Sequence, residues 1–315
     1  MRINKLILIC LTAFLVFSCN KNDDDTPEPI PPKDRGEQAI EDDQALMDYF
    51  STHYYNYEEF ENPSEDFDYV VRIDTIAGEN AEKTPIIESE ALITKTVNYQ
   101  GVDQQLYILM AREGAGDKPT FADSTFVSYK GELLKGDVFD SQKAPVWFNL
   151  TSYLVGSTAA NANYIAAPVK GFTEGLEEFK PASGYSVNED NTINWYNDYG
   201  IGTIFIPSGL AYFSSPPSGI PMYSPIMFNI NMYKVNEADH DKDGIPSYME
   251  DLDGDGDLFN DDSDGDGLPN HSDPDDDGDG KLTRDEISIN EDGSINFLDA
   301  NNDGVPNYLD PDVFE

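Results

Sequence analysis

Apolar residues occur along this chain in runs of different character. Arg2 and Lys5 precede an almost wholly apolar run from Leu6 to Phe17. A basic start followed by about a dozen apolar residues predicts a signal peptide over residues 1–18, too short for a comfortable membrane span. Acidic residues mixed with Ile40, Leu46, Met47, Tyr49, Phe50 and Tyr54 predict an amphipathic helix over residues 37–60. Strands with turn breaks are predicted at Tyr69–Ile76, Ala91–Tyr99, Leu106–Arg112 and Ser124–Tyr129, the last continuing through Leu133. Lys135-Gly136-Asp137 supplies a hairpin turn, followed by Val138–Ser141 and a strand at Val146–Leu150. Val169, Phe172, Leu176 and Phe179 recur at three- to four-residue spacing and predict a short helix with one apolar face. Strands at Thr203–Ile206 and Pro225–Met232 follow, and beyond residue 236 acidic residues and glycine dominate.

Composition narrows the classes. The 315 residues are 39% apolar and 12% aromatic, enough to form a core, which excludes a wholly disordered chain. Against 19 basic residues stand 61 acidic ones, a net charge of −42 that repels nucleic acid and anionic lipid and suits a solvated or cation-binding surface. Cys10 and Cys19 both lie in the first twenty residues, so the folded part has neither disulfide nor thiolate metal site. The scattered His53, His240 and His271 form no zinc pattern.

The apolar start ends in Leu15-Val16-Phe17-Ser18-Cys19. This resembles the lipobox of bacterial lipoproteins, although Phe17 stands where a small residue is usual; the resemblance implies lipidation at Cys19. Residues 19–36 are acidic and proline-rich, a semi-extended tether. Lys21 and the acidic run after it are similar to the surface-export signal of some Gram-negative lipoproteins, with an ordinary spacer as the alternative. Residues 37–103 then form an extension of helix and strand.

Residues 104–235 carry an ordered set of short motifs: Tyr129-x-Gly131, Phe139-Asp140-Ser141, Val169-x-Gly171-Phe172-x-Glu174-Gly175-Leu176, Ile206-Pro207-x-x-Leu210-Ala211-Tyr212, and Ile220-Pro221 with Phe228 seven residues beyond. In this order they resemble the FKBP-type peptidyl-prolyl cis-trans isomerases. The resemblance implies an α+β fold, an antiparallel sheet curled around one short helix, with a ligand cup between them. It implies a cup of Tyr129, Phe139, Val146, Val169, Phe172, Ile220 and Phe228, with Phe172 where the family usually has a tryptophan. Tyr212 and the Val169 N–H would bind substrate carbonyls, and Asp140 would orient groups at the pocket wall. Phe213 follows Tyr212 where a glycine is usual, so that loop turns differently; the aspartate's usual basic partner is absent, with Lys143 as a substitute. Insertions near 151–166 and 183–200 flank the pocket, extending or covering a groove.

Residues 237–315 hold 27 acidic residues against three basic ones, Lys242, Lys281 and Arg284. They are patterned. Asp275, Asp277 and Asp279, then Gly280 and Glu286, follow the EF-hand loop spacing. The same spacing recurs at Asp239, Asp241, Asp243 and Glu250; at Asp251, Asp253, Asp255 and Asp262; at Asp262, Asp264, Asp266 and Asp273; and at Asp299, Asn301, Asp303 and Asp310. Alternate oxygens pointing inward around a sharp glycine turn suit a hard cation such as Ca2+ rather than zinc. Most loops follow one another directly, and prolines 246, 269 and 306 break flanking helices. The array at 236–315 therefore resembles thrombospondin type 3 repeats, irregular loops strung together with calcium as their structural core.

These readings combine into a lipid-anchored protein of the cell envelope, on the outer membrane and in either leaflet. Its cup acts as a foldase that twists X-Pro amides in proline-containing polypeptide clients, with no cofactor for catalysis. The competing expectation is a surface adhesion or scaffold protein whose cup grips proline segments without turning them over.

Overall fold

The computed structural model describes residues 31–313; Cys19, the signal segment and most of the tether lie outside the described residues. Helix α1 (Arg35–Thr52) starts at Asp34, whose side chain accepts a bond from the Glu37 N–H at 2.9 Å. It ends earlier than the apolar pattern suggests. His53–Tyr55 instead form strand β1, a short helix α2 (Tyr57–Glu61) follows, and β1 pairs with β2 (Ile73–Thr75). Tyr55 and Val71 become buried in this turn of chain, and a continued helix would carry them away from the sheet.

The central sheet is antiparallel and six-stranded. Its strands are β3 (Leu92–Tyr99), β4 (Val102–Arg112), β5 (Ser124–Leu133), β6 (Val138–Asn149), β11 (Gly200–Ile206) and β12 (Ile226–Asn236), in the spatial order β3-β4-β11-β12-β5-β6. Both faces of its middle are covered, which is why Leu106–Ala111 of β4 and Ile204–Ile206 of β11 read as continuous apolar runs rather than alternating ones. Leu106, Ile108, Ile204, Ile206, Phe228 and Ile230 face helix α3 (Lys170–Leu176), whose Phe172 and Leu176 complete that core. Tyr107, Leu109, Phe205 and Met227 face the other way, under Leu46, Tyr49 and Phe50 of α1. Gly171 and Gly175 let α3 lie against β11, since a Cβ there would stand 2.2 Å from Ile206 and 2.5 Å from Ile204. This is the α+β sheet around a short helix that the motifs imply.

The two insertions are hairpins: β7 (Tyr153–Val155) with β8 (Asn163–Ile165), and β9 (Tyr185–Val187) with β10 (Ile193–Trp195). Trp195 packs on Phe126 and Tyr233, apart from the core that holds Phe172. The first hairpin reaches the C-terminal array: the Leu154 N–H donates to Ser272 Oγ at 2.9 Å, His271 Nε2 lies 3.1 Å from the Ser152 carbonyl, and Tyr153 stacks on His240 at 4.3 Å.

The array is irregular. After its loops come single 3-10 turns, Ser247–Glu250, Asn270–Ser272, Thr283–Asp285 and Asn307–Leu309. Pro246, Pro269 and Pro306 occupy the position just before three of these turns, where a missing N–H costs nothing. Its own apolar core is small: Ile245, Ile287 and Tyr308 are buried, with Ile295 and Phe297 against them from the hairpin of β13 (Ile287–Ile289) and β14 (Ile295–Phe297).

Candidate functional site: an aromatic cup and a carboxylate array

Tyr129, Phe139, Phe172 and Phe228 come together between the sheet and α3. Phe228 lies 4.9 Å from Phe172, 5.5 Å from Phe139 and 5.9 Å from Tyr129, all edge to face. Phe172, Phe228 and Ile220 form a buried floor, while Tyr129, Phe139, Val169 and Tyr212 are half-buried around it. The glycine of the Tyr-x-Gly motif makes this possible. A Cβ on Gly131 would stand 2.7 Å from the Phe139 ring and 2.8 Å from that of Phe228.

Asp140 accepts a 2.8 Å hydrogen bond from the Tyr129 hydroxyl. Burial, with that bond next, pushes the Tyr129 hydroxyl up to about 12, so it remains a donor at neutral pH. Burial and the Asp140 charge also raise Tyr212. Lys143 is exposed and forms no ion pair with Asp140 among the described residues. Val146 pairs with Val127 across the strands but is not part of the aromatic group. Phe148, two residues along, is: its ring lies 5.2 Å from Phe172 and 5.6 Å from Tyr129. It shares Val146's side of β6, and strand alternation is the signal that would have found it.

The loop carrying Tyr212 is braced from the N-terminal extension. Asp42 of α1 accepts two bonds from Ser208, and the Arg35 guanidinium stacks 4.1 Å over the Phe213 ring. Phe213 adopts the left-handed conformation, φ 48°, in place of the usual glycine. It is buried between Arg35 and Tyr223, and packing offsets the backbone cost.

In the array, one hydrogen-bond pattern repeats through the loops that start at Asp239, Asp251, Asp262, Asp275 and Asp299. The N–H of the sixth residue, a glycine with φ between 80° and 100°, donates to the first aspartate at 3.0–3.2 Å. The fifth N–H donates to the third side chain at 2.9–3.3 Å. The remaining oxygens are driven together. Asp251, Asp253 and Asp255 form one cluster; Asp262, Asp264 and Asp266 a second; Asp275, Asp277 and Asp279 a third; all lie within 4.8 Å of their group. Asp241, Asp243 and Glu250 form a fourth, joined by Asp276. Asp239 stands outside it, with its oxygens taken by the N–H groups of Lys242 and Gly244.

The closing positions differ from loop to loop. Glu286 is buried with neither oxygen hydrogen-bonded, and burial followed by the Asp277 and Asp279 charges pushes it to about 7. Asp273 is buried and pushed to about 6. Asp262 gives its oxygens to Gly265 and Gly267 of its own loop, and the buried Asp261 faces Asp251 and Asp253 instead. Among the described residues the last loop has no such carboxylate cluster: the Asn301 amide donates to Asp303 at 3.0 Å and Asp310 at 2.8 Å. Buried carboxylate oxygens with no hydrogen-bond partner, among them Asp243 Oδ2, Asp277 Oδ2 and both oxygens of Glu250, fit a hard, oxygen-seeking cation; those of Glu286 also lack one, with Lys281 Nζ 3.8 Å from Oε1. Asp261 and Asp276 escape the spacing rule because they precede or interrupt the ligand positions.

A cleft of about 580 Å³ separates α3 from the second loop, lined by Val169, Lys170 and Ala211 on one side and Asp257 and Phe259 on the other.

The model of one protein family, described as BamM C-terminal, matches residues 240–298. Peptidyl-prolyl cis-trans isomerase Mip of Coxiella burnetii is 28% identical over 162 residues, covering 50% of this chain and 56% of that protein. The probable FKBP-type peptidyl-prolyl cis-trans isomerase FkpA of Neisseria meningitidis serogroup B is 26% identical over 160 residues, 49% of this chain and 47% of that one. The chain spans about half the length of the curated relatives it matches. Among solved structures, FkpA from Escherichia coli aligns over 47% of this chain and 53% of its own, with a TM-score of 0.32 and 22% identity. The isomerase from Pseudomonas syringae pv. tomato covers 47% of this chain and 84% of its own, with a TM-score of 0.31 and 20% identity. About half of this chain is thus similar in sequence to FKBP-type peptidyl-prolyl cis-trans isomerases.

Proposed function

We propose that this protein is a peptidyl-prolyl cis-trans isomerase of the cell envelope, anchored through lipid on Cys19 and carrying a calcium-ordered C-terminal array. The observation that carries the activity is the convergence of Tyr129, Phe139, Phe172 and Phe228 on one side of the sheet. An X-Pro amide crosses a barrier of ~18–20 kcal/mol through a twisted state. Twisting breaks amide resonance, so the carbonyl becomes less polar and the nitrogen more basic. A dry aromatic cup favours that state over the planar, hydrated one, with no nucleophile or proton shuttle. Phe172, Phe228 and Ile220 seat the proline ring, Phe139 closes over it, and the Tyr212 hydroxyl and Val169 N–H hold the flanking carbonyls. Asp140 positions Tyr129 through their hydrogen bond.

Calcium, when bound, supplies positive charge among the array's carboxylates and so orders residues that otherwise repel. Its support is the set of buried, unpaired oxygens. The anchor rests on the lipobox alone, and Cys19→Ser should move the protein from the membrane fraction to the soluble one. Activity is tested by cis-trans isomerisation of a proline tetrapeptide, with and without calcium. Turnover by wild type that is lost in Phe139→Ala supports the proposal; a folded wild type without turnover rejects it. In that case the second reading, a scaffold that grips proline segments, takes its place. Its specific support is the departure at Phe213, whose left-handed backbone reshapes the loop beside Tyr212.

A further inference from the structure

Resting on the calcium reading above, we infer that Asp276 of the fourth loop is a ligand to the cation of the first loop, so that a single ion staples residues 239–250 to residues 275–286. The geometry is specific. Asp275, Asp277 and Asp279 gather around their own loop, whereas Asp276 joins Asp241, Asp243 and Glu250 within 4.8 Å. Thr283 fixes it there: the Thr283 hydroxyl accepts from the Asp276 N–H at 3.2 Å and donates to Oδ2 at 3.1 Å. That leaves Asp276 Oδ1, buried and without a hydrogen-bond partner.

The oxygens it meets are in the same condition. Glu250 and Asp243 are each 1% exposed and Asp276 is 2% exposed. Asp241 Oδ2, Asp243 Oδ2, both oxygens of Glu250 and Asp276 Oδ1 all lack a partner. No lysine or arginine pairs with any of these four residues among the described residues. Unpaired carboxylates in so dry a place are untenable without a counter-charge. These side-chain oxygens approach the six to eight that calcium takes, whereas magnesium holds to a strict octahedron and keeps much of its water. The buried Ile245 and Tyr308 lie in the same part of the array, and the Ile245 N–H holds Asp243 Oδ1 at 2.7 Å.

The staple has a mechanical consequence. The first loop is fastened to the cup domain through Ala238, since the Ser247 N–H donates to the Ala238 carbonyl at 2.8 Å and the Ala238 N–H to Asp123 at 3.2 Å. Closing the first loop on the fourth therefore ties residues 275–286 to the domain through the first loop, in addition to the bonds that Ser272 and His271 make with the 151–166 insertion.

The test uses the full chain, calcium alone as the probe, native mass spectrometry for ion count and limited proteolysis mapped by peptide. Asp276→Asn keeps the Thr283 contacts and should bind one ion fewer at the calcium level that saturates wild type. The calcium midpoint for protecting residues 239–250 should rise by about tenfold or more. Glu250→Gln should do the reverse across the staple, exposing residues 275–286. The double variant should lose no more than either single one, because both act on one ion. An unchanged ion count and midpoint in Asp276→Asn, unchanged protection of 275–286 in Glu250→Gln, or losses that add would each overturn the staple. If wild type itself binds no calcium, the calcium reading falls and takes the staple with it. Calcium binding by wild type with an indifferent Asp276→Asn removes the staple alone.

Discussion

Asp42, on α1, accepts both the backbone N–H (2.7 Å) and the hydroxyl (2.6 Å) of Ser208 through one carboxylate oxygen. Its other oxygen accepts from Gln38 at 2.7 Å, and the group is 1% exposed. A helix that covers the outer face of the sheet thereby also holds the chain four residues before Tyr212. Asp42→Ala leaves two buried Ser208 donors unsatisfied and should cost about 2–3 kcal/mol. Asp42→Asn keeps an acceptor and should recover part of this. Urea midpoints report stability and the tetrapeptide assay reports the placement of Tyr212. A wild-type midpoint in Asp42→Ala would show that the contact fastens nothing.

Floor and rim of the cup should respond differently. Phe172 is 3% exposed among the Tyr129, Phe148 and Phe228 rings, so Phe172→Ala opens a cavity and should cost about 3–5 kcal/mol. Phe139 is half-buried and touches chiefly Phe228, so Phe139→Ala should cost well under half of that yet remove most of the activity. Equal losses of stability in the two variants would contradict the division.

The parts of this arrangement that were legible in the sequence are those written locally. The Tyr129-x-Gly131 strand, the apolar face of α3 and the first, third and fifth ligand positions of each loop follow from spacing, because one strand or one turn sets them. What escaped depends on how distant segments meet. Asp42 looks like any acidic residue on a helix until Ser208 arrives beside it. Asp276 falls between ligand positions, and only the return of the fourth loop to the first gives it a role. The 151–166 insertion looked like a border of the pocket, but hydrogen bonds to Ser272 and His271 draw its hairpin onto the array. The pattern over 37–60 runs past the end of α1 at Thr52 because amphipathicity alone cannot show that His53–Tyr55 pairs as a strand with Ile73–Thr75.

Phe213 separates backbone strain from packing. Its φ of 48° suits glycine, while its ring is 6% exposed against Tyr223 and Arg35. Phe213→Ala loses the packing and keeps the strain; Phe213→Gly loses the packing and relieves it. The glycine variant should therefore be more stable than the alanine one by about 1 kcal/mol, against the usual order for these residues. Paired urea titrations decide this, and an alanine variant at least as stable as the glycine one would show that the left-handed backbone carries no cost here.

Removing metal should turn the array into a pH-sensitive element. Without a cation, burial and neighbouring carboxylates push Asp241 and Asp276 up to about 9 and Asp243 to about 7, from 3.8. Folded-state values above the unfolded one mean that the folded array binds more protons. Its stability in chelator is then full below about pH 4 and is lost as pH rises through 7 and 9. Calcium competes with those protons, so its own contribution grows over the same window. In chelator, the amide signals of residues 239–286 should be well dispersed at about pH 5 and collapsed at about pH 8.5. Millimolar calcium should restore dispersion at the higher pH, where the carboxylates are free to coordinate. Dispersion in chelator that improves from acid to alkaline pH would mean that the buried oxygens find partners other than a proton or a cation.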